Sequence, residues 1–499
     1  MSLESVFLPI QRDRAVPLHH QIIKEFVRLI DYGVLNPGCN IPSTRIMAAN
    51  LGVNRSTVYL AYQELIAMGY FDSRPGSYTK VRKRPSTMTS GIPKVEGTLP
   101  WAKMANEQSR YLWQALPNYR PEPDTSNNAD IINLAQLEID PRLFPAEDFR
   151  RCLNRVLVNL GPPVLTYAEY GGYPPLREYL ARRLQVHGIA VSSDEILITN
   201  GASHAFELIL KLLAKPGDIV ITESPTYGTF LRIMKYYQIQ VLGIPLREDG
   251  MDLEALEMNF AKRRPLFVYT IPNFHNPTGI TTPQAHRERL MAICERFRVP
   301  IVEDGFEEDM KYHGLVPLPI KSMDTHQVVL YIGTFSKALF PGIRIGWIAG
   351  DKECIQRMTA INRFSQISIN SLSQVALNDF CREGYYDLHL KKMHRIFRKR
   401  MRIALEAMGE FMPADVAWTK AEGGYTFWVT LPKPYPDERT ANTILLKHKV
   451  MASPGHYYYW KAGSKRHFRL SISNLEESRI REGVRRFGRA LSEMLEKAP

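Results

Sequence analysis

At 499 residues, with 44% apolar and 23% charged side chains, the chain is too long for one ordinary core and has the make-up of a globular protein of two or more domains. No apolar run approaches a membrane span, the first residues lack a signal-peptide core, and five scattered cysteines argue against a disulfide frame or a zinc site. These features predict a cytoplasmic protein with reduced thiols, and the net charge of +13 favours a polyanionic partner.

The first predicted helix lies within Pro17 to Leu35, where Ile22, Ile23, Phe26, Val27 and Ile30 recur at helical spacing. Two more follow Asn36-Pro37-Gly38. Ser43 caps the first, roughly Thr44 to Asn50; Gly52 makes the turn; Asn54 starts the second, which runs to about Met68. A short helix, a glycine turn and a longer helix form a helix-turn-helix, whose second helix enters the major groove of DNA. Asn54, Arg55, Ser56, Thr57 and Tyr59 occupy its start, where base edges and phosphates are reached, and Arg45 opens the preceding helix. Ser73 to Val81 then reads as a β-hairpin tipped by Gly76, with Arg74, Lys80 and the run Arg82-Lys83-Arg84 adding positive charge.

This region resembles the winged helix-turn-helix of GntR-family transcription regulators. The matching residues are Pro17-Leu18, Gly33-Val34-Leu35, Pro42-Ser43-Thr44-Arg45 and Leu51-Gly52-Val53-Asn54-Arg55-Ser56-Thr57-Val58. The wing departs from the family's glycine-serine-glycine-threonine, with Gly76-Ser77-Tyr78-Thr79 in its place. We assign residues 10–82 to this domain. Residues 83–128, punctuated by Pro, Ser, Thr, Gly and Asn, are expected to be a linker carrying a short docking helix.

From residue 129 to about 490, helical patterns alternate with β-branched runs at 195–199, 218–223, 266–271, 300–305 and 328–334. Such alternation predicts an α/β domain with a buried, mostly parallel sheet, whose ligands sit at the carboxyl ends of strands. Candidate residues fall at those ends. Thr199 to Ser203 opens a helix with backbone N–H groups free for phosphate. Tyr227 could stack on an aromatic ring, and Asn276, before Pro277-Thr278-Gly279, could donate to a phenolate. The carboxylate of Glu303-Asp304 could keep a pyridine nitrogen protonated. Lys337 offers an amine able to condense with an aldehyde, flanked by Ser336 and Arg344 as phosphate ligands. Together they read as a pyridoxal phosphate site.

These motifs resemble the fold-type I, class I/II aminotransferases, with a small C-terminal α+β subdomain over about 385–490. The resemblance implies that Lys337 bonds the cofactor, Asp304 faces the pyridine nitrogen, Asn276 binds the phenolic oxygen and Tyr227 stacks on the ring. It further implies that Gly201, Ala202, Ser203, Ser336 and Arg344 hold the phosphate, and that Tyr167 reaches the cofactor of a neighbouring subunit. Arg469 would clamp a substrate α-carboxylate, and Gly423-Gly424 matches the turn before the small domain. Phe306 stands where the family commonly has a tyrosine.

A winged helix-turn-helix ahead of such a domain is similar to the MocR (GabR-type) subfamily of GntR regulators. That resemblance implies a homodimer that binds operator DNA and senses an amino compound or pyridoxal phosphate. The alternatives are an aminotransferase that turns over while carrying a DNA-binding domain, and a regulator whose cofactor domain only dimerises.

Overall fold

The computed structural model describes residue 10 and residues 16–31, 34–73, 78–82, 99–115, 130–312, 317–435, 437–461 and 466–496. They form two compact units, one ending at Met104 and the other beginning at Ala105.

In the first unit, α1 (Leu18–Asp31), α2 (Thr44–Leu51) and α3 (Arg55–Ala67) pack around one apolar core, because Ile22, Phe26, Val58, Tyr62 and Leu65 all point inward. Phe26, Tyr62 and Phe71 meet edge to face with centroids 5.2–5.8 Å apart. Three short strands, β1 (Asn40–Ile41), β2 (Phe71–Asp72) and β3 (Thr79–Val81), close the unit in the antiparallel order β1-β3-β2. The expected hairpin therefore has a third strand, β1, which a stretch of only two residues, Asn40 and the buried Ile41, did not suggest. The hairpin tip with Gly76 and Arg74 lies outside the described residues, as do Lys83 and Arg84. The short helix α4 (Trp101–Met104) ends this unit.

The second unit begins with α5 (Glu107–Ala115) and β4 (Ile132–Asn133), then α6 (Ala146–Leu160) and α7 (Pro174–Val186). Next comes the large sheet with its helices: β5 (Ile196–Thr199), α8 (Ala202–Leu213), β6 (Ile219–Ser224), α9 (Gly228–Tyr236), β7 (Gln240–Arg247), β8 (Gly250–Met251) and α10 (Leu253–Phe260). The same sheet continues with β9 (Val268–Thr270), α11 (Gln284–Phe297), β10 (Ile301–Asp304), β11 (Val329–Thr334) and β12 (Gly346–Ala349). Helix α5 rests on α9, with Lys235 Nζ 4.0 Å above the Tyr111 ring.

The strand order is β5-β12-β11-β10-β9-β6-β7-β8. Neighbours from β7 through β11 pair in parallel, and β12 runs antiparallel between β11 and β5. Its central strands are buried along their whole length because both faces are covered. Leu197, Val302, Ile332 and Ile348 face one apolar layer with α8 and α9. Ile196, Ile198, Tyr331 and Trp347 face the other, with α7 and α13 (Ser371–Arg382). The five strands read from the sequence are β5, β6, β9, β10 and β11, and the sheet holds three more, β7, β8 and β12. Strand β12 separates β5 from β11, and that insertion brings Arg344 beside Asn200 and Gly201.

The chain then runs through α12 (Lys352–Gln366), α13 and the long α14 (Tyr385–Phe411) into a smaller body. That body holds β13 (Ala417–Trp418), β14 (Thr426–Thr430), α15 (Glu438–Lys447), β15 (Val450–Met451), β16 (Ser453–Pro454), β17 (His467–Ser471) and α16 (Glu477–Glu496). Its core is not purely C-terminal. Ile132, Leu134, Ile139 and Leu143 pack into it, and β4 pairs in parallel with β15. Among the described residues no helix is long and apolar enough to cross a membrane.

Candidate functional site

Lys337 stands in the turn between β11 and β12. The hydroxyl of Tyr425 donates to its backbone carbonyl at 2.6 Å, and its Nζ donates to the Leu137 carbonyl at 2.6 Å. Burial draws the amine below the ordinary lysine range, against the pull of Glu307 and with help from Arg469 and Arg344. That is the direction a lysine needs to act as a nucleophile.

Asp304 ends β10, fully enclosed. Its Oδ2 accepts a 2.8 Å hydrogen bond from the Tyr269 hydroxyl, while the equally buried Oδ1 has no partner. Burial pushes the carboxyl up to about 7, against the Tyr269 hydroxyl and the Phe306 backbone amide. An unpartnered buried carboxylate oxygen is costly unless a cationic N–H meets it. A protonated ring nitrogen is such a group. The Phe306 side chain belongs to the same apolar layer as Val302 and adds no donor to that of its backbone amide.

The phosphate end is built where β5 and β12 meet. Gly346 is in register with both Thr199 and Thr334, so the residue before β12 is delivered to the end of β5. Arg344 Nη2 donates to the Asn200 carbonyl at 2.6 Å. A Cβ on Gly201 would come within 2.9 Å of that guanidinium, so no larger residue fits unless Arg344 moves. Gly201 precedes α8, whose first turn holds Ala202 and an exposed Ser203. Ser336 is held by its neighbour: Thr334 Oγ1 donates to Ser336 Oγ at 3.1 Å and accepts from the Ser336 amide at 3.2 Å. A helix N-terminus, a serine and an arginine fit a phosphate dianion. The residues present therefore fit pyridoxal phosphate at both its ring nitrogen and its phosphate.

Arg469 reaches the same cleft from β17. Its Nη1 donates to Asn276 Oδ1 at 3.3 Å, its Nη2 to the Ala135 carbonyl, and its buried Nε has no partner. The Tyr458 ring lies 5.4 Å from the guanidinium. The stretch Ala135–Leu137 thus lies across the cleft as a strap, one carbonyl on Arg469 and another on Lys337. Ser473 Oγ donates to a third, that of Gln136, at 3.3 Å. Tyr227 is half-buried at the start of α9, close enough to influence the Tyr269 hydroxyl.

Tyr167 is not gathered into this cleft. It is 77% exposed, in a stretch whose other large apolar groups Leu165 and Tyr170 are also open. Sequence reasoning missed Tyr269, Tyr425, the strap and Glu307. A tyrosine inside a buried strand must place its hydroxyl, and Tyr269 could have been found on that ground. No local pattern announces the strap, because two of its contacts span about 200 and more than 300 residues.

The first unit presents a different surface. Ser43 Oγ accepts the Ile46 amide at 3.3 Å and caps α2, and Gly52 ends it with φ of 63°. Asn54 is the N-cap residue of α3 but makes no side-chain capping bond. Arg45, Asn54, Arg55, Ser56 and Tyr59 are exposed, Thr57 is half-buried, and Lys80 is exposed on β3. Arg55 Nε donates to Thr44 Oγ1 at 3.4 Å, tying the starts of the two helices together. Two helix N-termini with adjacent arginines suit a phosphate backbone.

Residues 129–487 match the family model described as aminotransferase class I and II. The chain is 31% identical to an uncharacterized HTH-type transcriptional regulator, YisV of Bacillus subtilis, covering 95% of this chain and 96% of that protein. It is 34% identical to aromatic-amino-acid aminotransferase 1 of Thermococcus litoralis, over 74% of this chain and 90% of that one. Among solved structures it is similar to LysN, the α-aminoadipate aminotransferase of Thermus thermophilus, complexed with N-(5'-phosphopyridoxyl)-L-leucine. That match has a TM-score of 0.72 at 28% identity, over 80% of this chain and all of that one.

Proposed function

Because this chain belongs to the aminotransferase class I and II family, in the MocR type that joins such a domain to a helix-turn-helix head, we propose that it is a DNA-binding transcription regulator whose aminotransferase-like domain senses an amino compound or pyridoxal phosphate. Its cofactor is pyridoxal phosphate. The observation that carries the regulatory reading is the first unit itself. It has its own core and an exposed basic surface at two helix N-termini, and no chemistry at Lys337 requires it.

In this reading Lys337 holds the cofactor through its amine. The unpartnered Asp304 Oδ1 takes the ring N–H, with Tyr269 fixing the other oxygen. Gly201, Ala202, Ser203, Ser336 and Arg344 receive the phosphate, and Tyr227 lies along the ring. Arg469 holds Asn276 Oδ1, which turns the amide nitrogen of Asn276 toward a phenolic oxygen. The bound group supplies an electrophilic aldehyde and a ring that withdraws electrons. Lys337 would supply the amine that holds the aldehyde, and Arg469 would receive the carboxylate of an amino compound. Exposed Leu165, Tyr167, Phe364 and Ile367 form the surface on which a second copy docks, with Tyr167 directed to that copy's site. Arg45, Asn54, Arg55, Ser56, Thr57, Tyr59, Gly76 and Lys80 contact the operator.

Turnover as an aminotransferase is the second reading, favoured by the depressed proton affinity of Lys337. One experiment separates them. The full-length protein is footprinted on its upstream DNA with and without amino acids, amines and pyridoxal phosphate, beside an assay for keto-acid formation. An effector-dependent footprint that Lys337→Ala abolishes supports the sensor. Steady keto-acid production with an unchanging footprint refutes it.

A further inference from the structure

Asn200 takes no part in the roles above, yet three elements grip it at the phosphate end of the cleft. Its backbone N–H donates to His204 Nδ1 at 3.0 Å, and its carbonyl accepts from Arg344 Nη2 at 2.6 Å. Its side-chain Nδ2 donates to Gln366 Oε1 at 2.5 Å, from α12 and 166 residues away. His204 can accept only as a neutral ring with its hydrogen on Nε2. Burial, aided by Lys211, draws that imidazole down to about 4, so the accepting form persists at neutral pH.

Gln366 is the last residue of α12, and the backbone just beyond it is strained. Ile367 has φ of 64° and ψ of −67°, and the Ser368 amide donates to the Gln366 carbonyl at 2.7 Å. That is a γ-turn of the rare sense, centred on a β-branched residue that positive φ suits poorly. Such strain persists where the surrounding contacts over-determine the backbone. The last turn of α12 is held in that way. Gln366 meets Asn200, and Arg363 sets its guanidinium 4.2 Å from the centre of the Tyr170 ring. The helix as a whole packs on β5 and α8, the two elements that Asn200 connects.

We propose that Gln366 is a positioning residue for the phosphate of the cofactor. By holding the Asn200 side chain it fixes the Asn200–Gly201 peptide, whose carbonyl orients the Arg344 guanidinium. The fit there has no slack, since even a Cβ on Gly201 would come within 2.9 Å of that guanidinium. A rotation of the peptide therefore moves the arginine that receives the phosphate. Gln366 acts through Asn200 and is not itself a phosphate ligand.

The inference rests on pyridoxal phosphate as the cofactor, and pyridoxal, the same aldehyde without the phosphate, isolates the end of the molecule concerned. Both are titrated by visible absorbance into the full-length chain freed of bound cofactor. Gln366→Ala should weaken pyridoxal phosphate about threefold to tenfold, the loss of one hydrogen bond, and leave pyridoxal unchanged. Asn200→Ala should do the same. The double variant should bind no more weakly than the weaker single one, because both substitutions remove one contact. A merely structural role for the helix end would shift both aldehydes together or neither. An unchanged ratio of the two affinities in Gln366→Ala overturns the proposal, as do fully additive losses in the double variant. If Gln366→Ala does not fold, Gln366→Met keeps the length without the acceptor, and the same ratio decides. A parent chain that takes up neither aldehyde overturns the cofactor assignment, and this inference falls with it; a parent that binds both, with the ratio unmoved in the variants, overturns this inference alone.

Discussion

The cofactor cleft and the helix face of the first unit reach function by opposite routes. In the cleft, polar groups are taken out of water and left short of partners: Asp304 Oδ1, both Glu307 oxygens and Arg469 Nε are all buried and unpaired. In the first unit, Arg45, Arg55, Ser56 and Tyr59 remain in water above a closed apolar core. A site that must bind one small molecule covalently gains from stored desolvation, because each unmet group is satisfied only by the right ligand. A site that must slide on a polyanion gains from solvated, mobile cations. The difference predicts that single substitutions will have large, chemically specific effects in the cleft and smaller, salt-dependent effects on the helix face.

The largest effect is expected for Lys337→Ala, which should abolish the visible absorbance of the pyridoxal phosphate complex and the effector response while leaving DNA affinity in place. Loss of DNA affinity alongside the colour would break the separation of the two regions. Asp304→Asn comes next. It removes a charge-assisted contact to the ring nitrogen, worth about 1.5–3 kcal/mol, and should weaken cofactor binding about tenfold or more in equilibrium titration.

The same variant tests the stored desolvation. Burial raises the Asp304 carboxyl above its unfolded value, to about 7, so the folded protein holds its proton more tightly than the unfolded chain does. Stability from that group is present at low pH and is lost as pH rises from the unfolded pKa through the folded one. Cofactor-free Asp304→Asn should therefore melt higher than the parent at pH 8 and no higher near pH 4. Calorimetry at both values decides it.

On the helix face, Arg55→Ala should cost about 1–3 kcal/mol of operator affinity, reduce the salt dependence, and leave the cofactor spectrum untouched. The smallest effect belongs to Ser43→Ala. Loss of the cap on α2 should lower the stability of the first unit by about 1 kcal/mol, read from its thermal unfolding, with no change at Lys337.

How much of this was legible before the structure depended on the range of the interaction. Ser43, Gly52 and Asn54 announce the first unit because capping and turn formation act over three or four residues. Lys337, Asp304 and Asn276 were legible because strand ends carry them into one cleft in a mostly parallel sheet. Arg344 was picked out for its proximity to Lys337 in sequence, yet what sets it beside Asn200 is the antiparallel β12, which no local pattern separates from its parallel neighbours. Glu307 was invisible: in the run Glu307-Glu308-Asp309 nothing distinguishes one acid from the next. Only the fold shows that Glu308 is paired with Lys311 and Asp309 with Arg183, while neither Glu307 oxygen has a hydrogen-bond partner.

The strap at Ala135–Leu137 joins two residues that come from distant parts of the chain. The Ala135 carbonyl accepts from Arg469 Nη2 and the Leu137 carbonyl from Lys337 Nζ, so one short stretch of backbone meets both cationic groups of the cleft. In sequence the strap lies between α5 and the large sheet, on the side of the chain that leads back to the first unit. What the strap contributes within this unit is contact with the lysine and the arginine at once, through backbone carbonyls rather than side chains.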